Sequence, residues 1–226
     1  MSSGEAPAGF WRRYAAWSLD WLLLGLPLAL LLSPLLARAA AQYAALDRLL
    51  QDWVYERVVA ADGRIPSPVA MAFELLADAG FAGQARALTL ELNATLGLVL
   101  ACVLGAGALW FVGFEASPWQ ATPGKRLARV RVAAVDGARL PLARVALRHA
   151  GGALSWLLLN LGHAIAGWRG DHRALHDLVA GAQLRALGPM PRWARAFLLA
   201  QGAVFLAGLL GLLAWLGWQL WLLATL

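Results

Sequence analysis

An aspartate set inside an apolar run long enough to cross a bilayer constrains this chain more than any other feature. Trp11-Arg12-Arg13-Tyr14-Ala15-Ala16-Trp17-Ser18-Leu19-Asp20-Trp21 leads into Leu22-Leu23-Leu24-Gly25-Leu26-Pro27-Leu28-Ala29-Leu30-Leu31-Leu32. Two arginines stand at the mouth of the segment, and Asp20 is carried past them. A carboxylate in hydrocarbon is costly and rarely faces lipid, so Asp20 is expected to look inward, toward a partner or water. Seven residues make almost two helical turns, which puts Arg13 and Asp20 on one face about 10 Å apart along the axis. Arg13 is therefore the expected electrostatic partner of Asp20. Trp11, Tyr14, Trp17 and Trp21 supply the aromatic crowding of a headgroup boundary.

Composition agrees with a membrane setting. The chain is 61% hydrophobic and only 14% charged, where a soluble domain carries about a quarter charged residues. Four stretches are apolar enough to span: 19–37, 92–114, 149–168 and 195–226. The single cysteine, Cys102, lies inside the second, which excludes a disulfide framework and a cysteine metal site. Arg12-Arg13, the apolar core and Ala37-Arg38-Ala39 also fit a cleaved signal peptide. Asp20 within the core and the aromatic flanks favour an uncleaved signal anchor instead.

Residues 1–10 read as disordered. In the loop 37–91, Leu46, Leu49, Leu50, Trp53, Val54 and Val58 recur at helical spacing and predict one amphipathic helix. Asp62-Gly63 and Pro66-Ser67-Pro68 end it, and a second short helix is expected over 69–79. The whole loop is expected to lie at the membrane surface as a connector outside the cytoplasm.

The segment 117–148 is the most informative soluble piece. Thr122-Pro123-Gly124-Lys125-Arg126 forms a basic turn, with Lys125 and Arg126 as its charges. Arg129-Val130-Arg131-Val132 alternates, and Asp136-Gly137 is a turn dipeptide, so a small cytoplasmic β-hairpin is expected. A phosphate loop is excluded at Gly124-Lys125, because Trp119 occupies the position of the first glycine and Arg126 that of the Ser or Thr.

Topology turns on 149–168. If that segment crosses the membrane, the basic residues divide nine against ten between the two sides, with no bias. If it dips in and returns, breaking near Asn160-Leu161-Gly162, they divide fourteen against five. The positive-inside rule favours re-entry. A strand over 183–187 then lies on the same side as 130–135 and is able to pair with it. Asp171 is the expected N-cap and Gly181 the expected C′ residue of a short helix between them.

These blocks resemble the RDD family, small membrane proteins named for one arginine and two aspartates. Residues 12–20 resemble its opening. Thr122–Leu127, Arg131-Val132, Asp136-Gly137 and Leu147-Arg148 resemble its central block, and Leu175-His176-Asp177-Leu178-Val179-Ala180-Gly181 its closing one. The resemblance implies that Arg13 is the arginine and that Asp20 and Asp177 are the aspartates. It also implies a bacterial inner-membrane protein for which transport of an unidentified ligand, or cation/proton exchange, has been suggested. The RDD-like domain is expected over 1–194, with an additional transmembrane helix over 195–226.

The fold expected is mainly α: a small integral-membrane bundle of three full spans and one re-entrant or spanning segment, plus the cytoplasmic hairpin. The N-terminus is expected in the cytoplasm. Asp177 is expected beside Lys125 and Arg126, or facing Arg13, as a latch that docks the cytoplasmic segment. Asn160 and His163 are the candidates for an intramembrane polar relay, set against satisfaction of exposed backbone at the helix break. His172 and His176 stand one helical turn apart, a spacing that fits a metal, but no third distant ligand accompanies them and no metal or other cofactor is expected. No enzyme motif is present, so the chain is not expected to be an enzyme. The partners expected are the lipid bilayer, a small solute or cation, and a second copy or partner membrane protein, with no nucleic acid. The rival expectation is a non-transporting scaffold or assembly protein in which the Arg/Asp set is purely structural.

Overall fold

The computed structural model describes residues 5–61, 67–157 and 160–225. It is mainly helical, with a small sheet. The elements are β1 (Glu5–Pro7), α1 (Phe10–Leu31), α2 (Ser33–Ala60), α3 (Pro68–Ala77), α4 (Ala79–Ala116), α5 (Pro123–Leu127), β2 (Val130–Ala134), α6 (Leu142–Leu157), α7 (Leu161–Trp168), α8 (Leu175–Ala180), β3 (Ala182–Leu187) and α9 (Arg192–Thr225). Three helices are long and apolar enough to cross a membrane: Phe10–Leu31, Ala79–Ala116 and the Arg192–Leu222 part of α9. The chain divides into two compact units, one made of Met1–Leu24 with Gly107–Leu226 and the other of Gly25–Ala106. These units do not coincide with a linear division at residue 195.

The first unit is built on a three-stranded antiparallel sheet in the order β1-β3-β2. The register pairs Glu5 with Leu187, Pro7 with Arg185, Val130 with Ala186 and Ala134 with Ala182. Strand β3 alternates, sending Ala182, Leu184 and Ala186 into the core and Gln183 and Arg185 out of it. That is the period-two pattern of a half-buried strand. The inward face packs with Val130, Val132, Leu140, Val145, Ala16 and Ala128 into one apolar cluster, against which Val112 and Ala116 of α4 lie. On the outer face Arg131 and Arg185 stand directly opposite each other. Such like-charge pairs are unfavourable, and Glu5 lies within reach of both: Arg131 donates to it at 2.9 and 2.8 Å, and Arg185 stands 4.0 Å away.

Two sequence expectations are corrected here. The Asp136-Gly137 turn is made, with Gly137 at φ +90 and the Ala138 N–H donating to Asp136 at 2.9 Å. The expected hairpin is not formed, because the chain after the turn has no second strand and goes into α6; β2 pairs with β3 instead. The N-terminus is not wholly disordered either, because Glu5–Pro7 adds a strand to the free edge of β3. Pro7 lacks a donor, and a sheet edge tolerates that.

Helices α6, α7 and α8 pack closely on one another. The break between α6 and α7 falls at Asn160, which takes a left-handed conformation at φ 62. The return is tight: a Cβ at Gly162 would meet the Ser155 Oγ at 2.2 Å. Glycine is the only residue that lets the backbone come this near. The Asp171 N-cap expectation fails, since Ala174 holds the N-cap position of α8, while the Gly181 expectation holds with φ 61.

In the second unit the amphipathic segment is realised as α2, a helix of 28 residues. Asp78 stands between α3 and α4 and caps α4, its Oδ1 accepting from the Phe81 N–H at 2.9 Å. Its Oδ2 accepts from Trp53 Nε1 at 2.9 Å and Arg57 Nη2 at 2.8 Å, tying α2 to the start of α4. Helix α4 begins well before the expected span at 92 and runs for 38 residues.

Candidate functional site

The two aspartates singled out by sequence are both fully buried in the first unit, and they are satisfied in opposite ways. Asp20, on α1, is held by uncharged donors. The Thr122 hydroxyl donates to Oδ2, the Gly124 N–H donates to Oδ1 at 2.8 Å, and Trp110 Nε1 donates to Oδ1 at 3.2 Å. Thr122 is also the N-cap of α5, and Pro123 begins that helix with the fixed φ that suits a first turn. The Gly124 backbone lies so close that a Cβ there would meet the Ala16 carbonyl oxygen at 2.4 Å and Asp20 Cγ at 2.7 Å. Thr122-Pro123-Gly124 is therefore a receptor shaped for a carboxylate delivered by α1. Arg13 does not pair with Asp20, contrary to the expectation from helical spacing.

Asp177, on α8, is held by cations. Arg13 Nη2 stands 2.5 Å from its Oδ2 and Arg148 Nε 2.8 Å from its Oδ1. Oδ2 also accepts from the Ala174 N–H at 3.0 Å, so the carboxylate closes the first turn of its own helix. Burial alone would raise its pKa, but the charges of Arg148 and Arg13 outweigh burial and hold it far below the usual carboxylate range.

Glu115, at the end of α4, joins the two sites. Arg148 Nη1 lies 2.7 Å from its Oε2 and Lys125 Nζ 2.8 Å from its Oε1. The same Nζ is 3.4 Å from the Thr122 hydroxyl oxygen. A continuous buried chain results: Asp20, Thr122, Lys125, Glu115, Arg148, Asp177, Arg13. Three basic and three acidic side chains balance within it. Sequence reasoning did not assign Glu115 or Arg148 to the site. The usable signal was the lone acid closing an apolar span, which needs cations of its own.

The rest of the expected set is placed as follows. Lys125 belongs to the network through Glu115, not through Asp177. Arg126 lies outside it, its guanidinium 4.1 Å from the Trp119 ring centroid. Asn160 is exposed at the helix break, where its carbonyl accepts from the His163 and Ala164 N–H groups at 3.0 and 3.1 Å. The His163 and His176 rings lie 4.8 Å apart, centroid to centroid, and are tilted 52° to each other. His176 Nε2 lies 3.3 Å from Arg148 Nη2. Burial, and then the Arg148 charge, push His176 down to about 3, so it is neutral at physiological pH. With Arg148 a permanent donor, that Nε2 accepts and the proton sits on Nδ1. The Nδ1 atoms of both rings are buried and make no hydrogen bond among the described residues. His172 turns away to the Ala166 carbonyl, 3.1 Å from Nδ1, and does not converge with His176. No cluster of metal ligands is present among the described residues.

Arg12 serves a different part of the chain from Arg13. Nearly buried, it donates to the carbonyls of Ala128 at 2.7 Å, Gly188 at 2.7 Å, Arg129 at 3.0 Å and Pro189 at 3.2 Å. One side chain thereby ties the end of α5 and the turn after β3 to the start of α1.

Residues 7–181 match the RDD family. The chain belongs to the RDD family. That match takes in α1, the Thr122–Gly124 receptor and Asp177 on α8, so every member of the buried network lies within it. With three apolar helices of spanning length, this RDD protein is a membrane protein. No curated protein and no solved structure matches it.

Proposed function

We propose that this RDD protein is a multi-pass protein of a bacterial inner membrane, accessory to the transport of a small solute or cation. Its Arg/Asp set acts as a structural lock in that reading. The observation that carries the lock is Asp20, 0% exposed and bound by three donors of the protein itself. Three of its roughly four acceptor sites are filled and the group is away from solvent, so it is poorly placed to meet a passing ion. The part played in transport rests on what has been suggested for the family. The protein performs no covalent chemistry of its own, and it works with a second copy or a partner membrane protein.

In this reading the N-terminus and the sheet lie in the cytoplasm. Sheet pairing of β1, β2 and β3 supports a common side for residues 5–7, 130–134 and 182–187. The break at Asn160 and the close packing of α6 on α7 support re-entry of 149–168. Fourteen basic residues then face the cytoplasm against five outside, as the positive-inside rule favours. Cysteines placed singly at Arg173 and Arg185 in a Cys102→Ser background test this. Both are expected to react with an impermeant maleimide from the same face as one placed at Arg131. Reaction from opposite faces overturns the placement.

The functional test is reconstitution of the chain alone into vesicles. An accessory shows no cation or proton flux above protein-free vesicles, and strong flux from the chain alone overturns that role. One observation favours a second reading, a proton-coupled conduit: the adjacent His163 and His176 rings, whose buried Nδ1 atoms make no hydrogen bond among the described residues, close to Asp177. His163→Phe leaves every ion pair of the lock in place. Under the conduit reading it abolishes flux from a protein that still accumulates.

A further inference from the structure

We propose that the cleft at the start of α9 binds the phosphate headgroup of an anionic membrane phospholipid. The cleft has a volume of about 410 Å³ and is lined by Arg129, Pro189, Met190, Pro191, Arg192 and Arg195. Half of the lining residues are arginine and none is acidic. All three arginines are exposed, and their guanidinium groups make no hydrogen bond or ion pair with the described residues. Planar guanidinium forks match phosphate oxygens in pairs. Pro189, Met190 and Pro191 add an apolar wall on which a glycerol backbone and the first acyl carbons can rest.

Position selects the ligand's source. Arg192 and Arg195 stand in the opening turn of a helix whose Arg192–Leu222 part is apolar enough to cross a membrane. The cleft therefore opens at headgroup level, where a phosphodiester anchored by its acyl chains is always at high local concentration. Basic clusters beside a span recognise anionic lipids for this reason. The cleft is also braced from within. Arg12 donates to the carbonyls of Arg129 and Pro189, two of the lining residues, and to that of Gly188 beside the second. The Arg129 carbonyl accepts in addition from the Leu187 N–H at 2.8 Å. These two bonds hold the Arg129 backbone, at φ 55, beside the cleft.

The test uses the purified full chain in detergent, titrated with short-chain phosphatidylglycerol, phosphatidylcholine or inorganic phosphate and followed by native mass spectrometry. Phosphatidylglycerol is expected to be retained at least tenfold more tightly than phosphatidylcholine. The triple variant R129Q/R192Q/R195Q is expected to lose about fivefold per arginine, on the order of 100-fold together. The matching triple lysine variant keeps the charge and should recover most of the affinity, separating lost charge from lost fold. Equal retention of the two lipids, or unchanged phosphatidylglycerol binding in the glutamine variant, overturns the site. Inorganic phosphate binding as tightly as phosphatidylglycerol overturns the lipid assignment.

Discussion

Asp177 in the first unit and Asp78 in the second each accept from an arginine and from a backbone N–H near a helix start, yet they sit in different solvents. The Asp177 side chain is 0% exposed and shares a buried ion chain with Arg13, Arg148, Glu115 and Lys125. The Asp78 side chain is 27% exposed and its partner Arg57 28%, with Trp53 as the further donor. Similar bonds carry different weight in the two places. Removing one member of a buried ion pair leaves an uncompensated charge away from water. Removing a partly exposed one lets water take its place. The first unit is thus committed to its polar network, while the second uses its aspartate chiefly to start a helix.

The largest expected effect tests that commitment. Asp177→Ala leaves Arg13 with no carboxylate in ion-pair contact among the described residues and Arg148 with Glu115 alone, a loss of about 3–5 kcal/mol by the usual cost of a broken buried pair. Protein level and thermal unfolding in detergent, read by tryptophan fluorescence, should both fall sharply. Near-normal stability would mean that the site is wet, and the contrast with Asp78 would dissolve.

The pH dependence sharpens the same contrast. His176 titrates at about 6.5 in an unfolded chain and at about 3 when folded. Below pH 6.5 the unfolded chain therefore takes up a proton that the folded chain refuses, so stability falls as pH drops from 6.5 toward 3. Asp177, depressed in the folded state, adds its own loss once pH falls below the unfolded carboxylate value of about 3.9. His176→Gln should make the upper window shallower and leave the lower one. A wild-type melting temperature that stays level between pH 6.5 and 4.5 would contradict the burial of this imidazole.

Next in size come the two ways of spoiling the Asp20 receptor. Gly124→Ala drives a methyl group into the Ala16 carbonyl, a backbone atom that cannot step aside, and overpacking of this kind costs about 1–3 kcal/mol. Thr122→Val removes the hydroxyl donor and leaves a buried carboxylate oxygen short of a partner, again about 1–3 kcal/mol. Thr122→Ser should restore most of that loss. If valine is tolerated as well as serine, the hydroxyl is not what holds Asp20.

Much of this arrangement was legible from local signals. The buried aspartate in an apolar run, the basic turn at 122–126, the Gly181 stop and the break near Asn160 all follow from residue chemistry at short range. The partners of each charge did not. Helical spacing places Arg13 and Asp20 on one face, but it is silent about a threonine 102 residues away that offers a better donor. The turn at Asp136-Gly137 was equally visible, yet a turn fixes only the chain's reversal. The segment after it had no apolar alternation to offer, and β3 did. Glu5–Pro7 escaped notice because three residues carry no period, and their pairing is dictated by the edge of a strand remote in sequence. The Arg12 clamp was hidden for a related reason: its four clients are backbone carbonyls, which leave no mark in composition.

The smallest expected effect lies in the second unit, where Asp78→Asn tests the other half of the comparison. The amide oxygen can still accept from the Phe81 N–H and cap α4, and asparagine is as good a cap as aspartate. What is lost is the charge and the Oδ2 acceptor that served Trp53 Nε1 and Arg57 Nη2, donors that water can take over at this partly exposed site, while the Arg57 guanidinium keeps its place 3.9 Å over the Trp53 ring. Stability should therefore stay near that of the wild type, with a melting temperature raised or lowered far less than by any change in the first unit. Asp78→Ala removes the cap itself and should fall between Asp78→Asn and Thr122→Val. The order of these three, measured at one pH and salt, separates a helix start from a buried ion chain. If Asp78→Asn proves as damaging as Asp177→Ala, water does not reach Asp78, and both units depend on buried charge.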